Sequence, residues 1–214
     1  MKDADGIIRY LTDTYRPDAV IVYGSFADGS ADGNSDFDAL VIAGREKTHD
    51  SSVIDGTVLD VFVCPADTFR SEYDPEEFVQ VWDGKIVTDR DGTAERLQER
   101  VRDHLAHTPP KTDMEILEEI GWCEKMAART VRDDAEGCYR WHWLLTDSLE
   151  IYCDAKGVRW FGPKKALRLM ERTDEEAFRI YSEALKVFER DRLSEWIGYL
   201  KRIATALPLP RDPV

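Results

Sequence analysis

The chain has 214 residues, of which 43% are hydrophobic, enough to bury one large core or two small ones. Its formal net charge of −14 argues against nucleic acid as a substrate, because binding to a long polyanion requires a basic surface. An acidic surface is compatible with a cationic small molecule, and equally with a role in solubility or salt tolerance alone.

The apolar runs and the cysteines argue against a membrane-spanning protein and against a disulfide-rich or zinc-binding one. Apolar runs such as AVIVY are far shorter than the roughly 20 residues of a membrane-spanning helix, and the first residues lack the pattern of a secretory signal. We therefore expect a cytoplasmic protein without a membrane partner. The four cysteines have no metal-type spacing, which predicts reduced thiols rather than a disulfide framework or a zinc site. The oligomeric state is left open.

The first half of the sequence mixes helices with short strands. Helical spacing predicts a helix over residues 4–15, which Arg16-Pro17-Asp18 ends before a strand at 19–23. A short glycine-rich element follows. Further strands are predicted at 37–42, 57–63 and 85–88, and further helices at 75–81 and 93–107.

The second half is predicted to be helical throughout. It follows the segment 108–111, TPPK, which predicts a linker because proline removes backbone donors and restricts the residue before it. Helices are predicted at 113–132, 138–155, 164–170, 174–189 and 192–206. The sequence thus predicts an α+β protein, with a small mixed sheet in a domain over residues 1–108 and a helical bundle over residues 112–208.

The segment GSFADGSADGNSDFDAL, from Gly24 to Leu40, places two aspartates in a strand pattern. Alternate strand residues project to the same side, so Asp36 and Asp38 bring two carboxylates together. Mg²⁺ would relieve their repulsion, since it takes oxygen ligands and leaves room for phosphate oxygens. Asp60, in the run VLDVFV, is a third acid whose burial without a partner would be costly. A neighbouring strand could deliver it to the same metal.

Small and hydroxyl residues beside these acids indicate an anion site. Gly24 would let backbone amides approach an anion, and the hydroxyls of Ser25 and Ser35 can add hydrogen bonds. A glycine turn or a solvated Asp-x-Asp loop would explain single parts of this pattern but not the combination. Together with the acids, these residues predict a site for a metal-bound nucleoside triphosphate.

The pattern G-S-x9-S-D-x-D, followed by an acid in an apolar strand, resembles the nucleotidyltransferase superfamily of polymerase-β-like fold. The residues that carry it are Gly24, Ser25, Ser35, Asp36, Asp38 and Asp60. The two-part layout resembles antibiotic nucleotidyltransferases, above all the streptomycin and spectinomycin adenylyltransferases, in which the nucleotide lies between a catalytic and a helical domain. The motif covers about residues 19–64, and the resemblance of the helical half consists of layout and the segment GVRWFGPKKAL.

The resemblance implies a role for each motif residue. Ser25 and Ser35 would touch the triphosphate, and the paired acids Asp36 and Asp38 would hold magnesium. Asp60 would activate the attacking hydroxyl, and whether it is a base, a metal ligand or both stays open.

Three residues of the helical half are further candidates. The resemblance implies a lysine that contacts the phosphates, which we assign to Lys164, with a solvated helix start as the alternative. Asp147 and Glu150 are three residues apart and share a helix face. They could bind amino groups of a cationic acceptor, unless they are simply exposed.

These observations predict a magnesium-dependent nucleotidyltransferase with ATP or another nucleoside triphosphate as co-substrate. It would move a nucleoside monophosphate, AMP from ATP, to a hydroxyl of a small acceptor such as an aminoglycoside-type antibiotic, which implies a role in antibiotic resistance. Transfer to a protein or a transfer RNA, as in antitoxin-type nucleotidyltransferases, is one alternative, and the acidic charge argues against RNA. A catalytically inactive nucleotide-binding module is another, and the presence of all three acids and both serines argues against it.

Overall fold

The computed structural model describes residues 4–44, 46–132 and 134–205, and the chain divides between Thr108 and Pro109 into two compact units. The described part of the first unit contains helices α1 (Asp5–Tyr15), α2 (Gly24–Asp28) and α3 (Thr93–His107), strands β1 (Ala19–Tyr23), β2 (Phe37–Ile42), β3 (Thr48–Asp50), β4 (Val53–Ile54), β5 (Thr57–Cys64) and β6 (Lys85–Asp89), and 3₁₀-helices at Ala66–Phe69 and Pro75–Val81. The described part of the second unit contains helices α4 (Asp113–Arg129), α5 (Ala135–Ala155), α6 (Pro163–Thr173), α7 (Glu175–Lys186) and α8 (Arg190–Thr205). The fold is therefore α+β.

The strands of the first unit form a mixed sheet. Its order is β3-β5-β2-β1-β6, with β4 paired to β5. Strands β2 and β5 are parallel, whereas β1 pairs antiparallel with both β2 and β6. The register aligns Tyr23 with Asp38, and Asp38 with Asp60. Because partners in register project to the same face, these three side chains form a row across β1, β2 and β5.

Each face of the sheet buries its own apolar layer. On one face, Phe37 and Val41 belong to a core shared with α1 and α2. On the other face, Leu40 and Ile42 belong to a core shared with α3 and the 3₁₀-helix Pro75–Val81. Asp38 lies two residues before Leu40 and projects to this second face. The acidic row therefore continues an apolar face of the sheet.

The sequence does not predict β3 and β4. Strand β3 is the tripeptide THD, too short and polar for a periodic signal, and its pairing with β5 defines it. Strand β4 joins β5 through Asp55 and Gly56, which have positive φ angles of 49° and 76°. Positive φ at both central residues is typical of the tight hairpin turn that an Asp-Gly pair favours.

The helices of the second unit differ from their predicted ranges mainly at the ends. Helix α4 ends at Arg129 rather than at 132, and α5 begins at Ala135 rather than at 138, after Asp134, whose side chain accepts the amide hydrogen of Gly137. Thr112 caps α4 in a reciprocal pair with Glu115. The predicted helix end at 206 and domain end at 208 lie outside the described residues.

The described helices of the second unit bury an apolar core that includes Trp196. Trp196 donates its indole hydrogen to Oγ of Ser148 at 2.8 Å, which satisfies the polar atom of each side chain inside the core. Among the described residues, no helix combines the length and apolar character that crossing a bilayer requires.

Candidate active site

The candidate active site is built on the row that crosses β1, β2 and β5. Asp38 and Asp60 are direct partners in the parallel pair, so two half-buried carboxylates project from neighbouring strands on one face. Tyr23 ends the row on β1. Burial, and then the negative charges of Asp38 and Asp60, raise the pKa of the Tyr23 hydroxyl. The tyrosine therefore stays protonated beside the two acids at neutral pH.

Gly24 lets the backbone after β1 approach Asp38 closely. Its φ angle is 66°, in the left-handed region that favours glycine. A Cβ atom at this position would collide with Oδ2 of Asp38. Any other residue would therefore strain the backbone and displace the carboxylate. Glycine at this position is thus required both by the backbone conformation and by the approach to Asp38.

The two motif serines lie in different surroundings. Ser25 is half-buried in α2, where its carbonyl oxygen accepts hydrogen bonds from the amides of Ser30 and Ala31. Ser35 precedes β2, and its Oγ accepts from the amide of Asp32 at 2.9 Å and donates to Oδ1 of Asp32 at 3.2 Å. A phosphate contact would require the Ser35 proton to turn away from Asp32. The phosphate roles of both serines stay predictions.

Asp36 is exposed immediately before β2, beyond the paired part of the strand. Within residues 4–44, 46–132 and 134–205, no three His, Cys, Asp or Glu side chains come together so that they could hold a metal ion. Asp38 and Asp60 offer oxygen ligands of the kind that magnesium takes in proteins, usually one or two carboxylates together with phosphate oxygens. A role for Asp36 beside this pair stays a prediction.

A residue that the sequence does not identify lies beside Asp60. Nε2 of His49, on β3, is 2.7 Å from Oδ1 of Asp60. The imidazole packs against the ring of Phe62, with 4.8 Å between ring centroids. Sequence reasoning misses His49 because it misses β3, and only the pairing of β3 with β5 brings the histidine to the acid.

The candidate residues of the helical unit lie in two places. Lys164 is exposed in the first turn of α6, and its contact with phosphate stays a prediction. Asp147 and Glu150 lie on α5 beside a cavity of about 300 Å³. The cavity is lined by Lys111, Glu119, Trp122, Asp147, Glu150 and Ile151.

The cavity beside α5 is acidic and already holds one ammonium group. Nζ of Lys111 lies 2.6 Å from Oε1 of Glu119 and 2.9 Å from Oδ2 of Asp154. Partial loss of solvent raises the pKa of Asp147. The same effect, reinforced by the charge of Asp154, raises the pKa of Glu150. Both carboxylates therefore gain from a cationic partner.

Comparisons with known proteins include a distant structural likeness. No protein-family model matches the sequence, and no curated protein matches it. Among solved structures, the chain is similar to a nucleotidyltransferase-like protein from Exiguobacterium sibiricum, with 13% sequence identity and a TM-score of 0.41. The match covers 93% of this chain and 72% of the other. A likeness at this level supports no inference about the activity or the acceptor of this chain.

Proposed function

We propose that the protein is a nucleotidyltransferase that moves AMP from ATP to a hydroxyl of a small acceptor and releases pyrophosphate. The observation that supports this most is the pairing of Asp38 with Asp60 on adjacent strands. Two like charges on register partners of adjacent strands repel each other. A magnesium-bound triphosphate would offset that cost. Gly24, which keeps the backbone close to Asp38 without a side chain, supports the same assignment.

Each motif residue would have its own role in the reaction. Asp60 would take the proton of the acceptor hydroxyl, and the oxygen would attack the α-phosphorus in line. The bond from this phosphorus to the bridging oxygen breaks, and pyrophosphate leaves with the electron pair. Asp38 and Asp60 would hold magnesium, which when bound stabilises charge on the attacking and leaving oxygens. Ser25 and Ser35 would bind oxygens of the triphosphate.

The second unit would supply the remaining binding groups. Lys164 would contact the phosphates as a point charge. The cavity beside Asp147 and Glu150 would bind amino groups of the acceptor, as in an aminoglycoside-type antibiotic. The placement of Lys111 between Glu119 and Asp154 supports this, because an acidic wall that holds a lysine ammonium can also hold an amine of a ligand. The net charge of −14 would attract such a ligand.

A transfer assay tests the proposal directly. The protein is incubated with magnesium, ATP labelled at its α-phosphate, and a panel of aminoglycosides, other antibiotics, candidate proteins and transfer RNA. We expect label in a small acceptor and an equal release of pyrophosphate. The variants Asp38→Asn and Asp60→Asn should lose this activity, while Asp13→Asn, which changes an exposed acid on α1, should retain it.

The other outcomes of the same assay point to the alternatives. Label that enters only a protein or transfer RNA would support an antitoxin-type transferase. Magnesium-dependent ATP binding without transfer to any acceptor would support a regulatory nucleotide-binding module.

A further inference from the structure

His49 holds Asp60 by one of its two carboxylate oxygens. The distance from Nε2 to Oδ1 is 2.7 Å, which is a short hydrogen bond. An ionised carboxylate can only accept hydrogen bonds, so with Asp60 in that form the contact requires the tautomer in which Nε2 is the donor. This bond occupies Oδ1 and leaves Oδ2 to interact with another partner.

The strand that carries His49 is anchored from its opposite face. Asp50, the next residue, is only 7% exposed. It accepts hydrogen bonds from the hydroxyls of Tyr15 at 2.8 Å and Tyr10 at 3.2 Å, both on α1. Consecutive strand residues project to opposite faces, so an Asp50 held against α1 directs His49 to the active-site face. The fold therefore directs the imidazole of His49 to the face that carries Asp60.

The imidazole ring is also restrained on its own face of the sheet. His49 is the register partner of Phe62 across β3 and β5, and their rings are in contact. Asp60 lies two residues before Phe62 on the same face of β5. An exposed ion pair between flexible side chains contributes little, because ordering the two chains costs entropy. Here the contact with Phe62 already restrains the imidazole ring, so forming the hydrogen bond to Asp60 costs less conformational entropy.

We propose that His49 is a positioning residue for Asp60. By donating Nε2–H to Oδ1, it fixes the orientation of the carboxylate and leaves Oδ2 to take the proton of the acceptor hydroxyl. This inference rests on the proposed nucleotidyl transfer. Loss of a residue that orients an active-site ligand costs about 10- to 100-fold in activity or metal affinity. Because His49 has no assigned contact with ATP, the loss should fall on kcat rather than on the KM for ATP.

Kinetics of matched variants separate positioning from a structural role. We expect His49→Ala to lower kcat about 10-fold or more with a nearly unchanged KM for ATP. His49→Gln, which keeps an N–H donor, should recover most of that loss, and His107→Ala, at an exposed histidine of α3, should behave as the wild type. In an Asp60→Asn background, His49→Ala should cause little further loss. A folded His49→Ala protein with wild-type kcat overturns the inference.

A spectroscopic measurement gives a readout that does not depend on turnover. The chain has four histidines, so nitrogen–proton correlation spectra of their rings can be assigned by variants. We expect His49 to carry its proton on Nε2, and its signal to shift in Asp60→Asn but not in Asp13→Asn. A His49 signal that does not respond to Asp60→Asn overturns the inference, whether or not the protein transfers AMP. If the wild type transfers AMP to no acceptor while His49 does respond, the proposed function fails and the bond to Asp60 stands.

Discussion

Asp38 and Asp60 lie side by side on parallel strands, in direct register, with Tyr23 beside Asp38 on the antiparallel strand. The same sheet face continues into the buried residues Leu40 and Ile42, so this row meets a region of low polarity. Charge interactions are stronger in such surroundings than in water. The fold therefore places two half-buried carboxylates side by side at the border of an apolar face.

Asp38→Asn is expected to abolish transfer and leave the fold intact. The amide keeps the shape of the side chain but loses the charge that magnesium requires. Pyrophosphate release and thermal melting on one preparation check both parts. Near-normal turnover by a folded Asp38→Asn protein would rule out the metal role.

Gly24→Ala is expected to abolish activity, whereas Gly29→Ala should retain it. Both glycines have positive φ, 66° and 80°, so each substitution strains the backbone by roughly 1–2 kcal/mol. Only the alanine at 24 would also collide with Asp38, since nothing lies within 4 Å of a Cβ at 29. The comparison therefore isolates the contact with the carboxylate. Equal activity losses at equal stability would show that the contact has no role in catalysis.

The strands β1 and β2 match the ranges predicted from the sequence, because each is a mainly apolar run that is buried on both faces apart from the half-buried Asp38. Helix α3 does too, since its apolar residues recur at helical spacing between charged ones. The adjacency of Asp38 and Asp60 follows from the parallel register of β2 and β5, which the sequence leaves open. Local patterns thus predict elements, while long-range pairing decides which side chains meet.

The missed residue His49 illustrates that limit. It lies on a three-residue edge strand that is fixed by tertiary contacts, with Asp50 accepting hydrogen bonds from α1 and His49 contacting Phe62. The Asp55-Gly56 pair gives the one local signal, because Asp-Gly between two β-branched runs is typical of a hairpin. A hairpin prediction there yields β4 but still leaves β3 and its histidine unassigned.

Asp174→Asn is expected to remove an acid-sensitive part of the stability of the helical unit. Oδ2 of Asp174 accepts from Nζ of Lys156 at 2.8 Å, and from the hydroxyls of Tyr152 at 3.0 Å and Tyr199 at 2.5 Å. Burial alone would raise the pKa of Asp174, but these hydrogen bonds and that of the Ala177 amide lower it to about 2. The charged form is therefore stabilised by folding.

The sign of the pH dependence follows from that lowered pKa. An ordinary aspartate has a pKa of 3.8, so the stabilisation by Asp174 is complete above about pH 4 and is lost as the pH falls towards about 2. It amounts to on the order of 2 kcal/mol. Urea unfolding of wild type and Asp174→Asn across this range should converge at low pH, with Asp191→Asn, an exposed acid of α8, as the control. Parallel curves at all pH values would contradict the assignment.

Asp147→Asn and Glu150→Gln are expected to weaken binding of a cationic acceptor by at least several-fold and leave ATP binding unchanged. Because loss of solvent raises the pKa of both carboxyl groups, they become neutral at a higher pH than exposed acids do. As the pH is lowered, acceptor affinity should therefore begin to fall at a higher pH than it would with fully exposed acids. Calorimetric titration with the acceptor found in the transfer assay measures both effects. An affinity that is equal in wild type and variants would place the acceptor site elsewhere.

Asp60→Asn tests whether this acid takes part in the chemistry, in binding or only in folding. Asparagine keeps an Oδ1 that can accept the hydrogen bond of His49, so the substitution removes the charge with little change in placement. If Asp60 takes the proton of the acceptor hydroxyl, turnover should fall roughly 10²-fold or more while ATP affinity stays close to that of the wild type. If Asp60 is mainly a magnesium ligand, magnesium-dependent ATP binding should weaken as well. If it is only a structural partner of His49, the melting temperature should fall without a specific loss of turnover. Calorimetric ATP binding, thermal melting and pyrophosphate release on one preparation distinguish the three, and unchanged pyrophosphate release with a true acceptor would exclude Asp60 as the base.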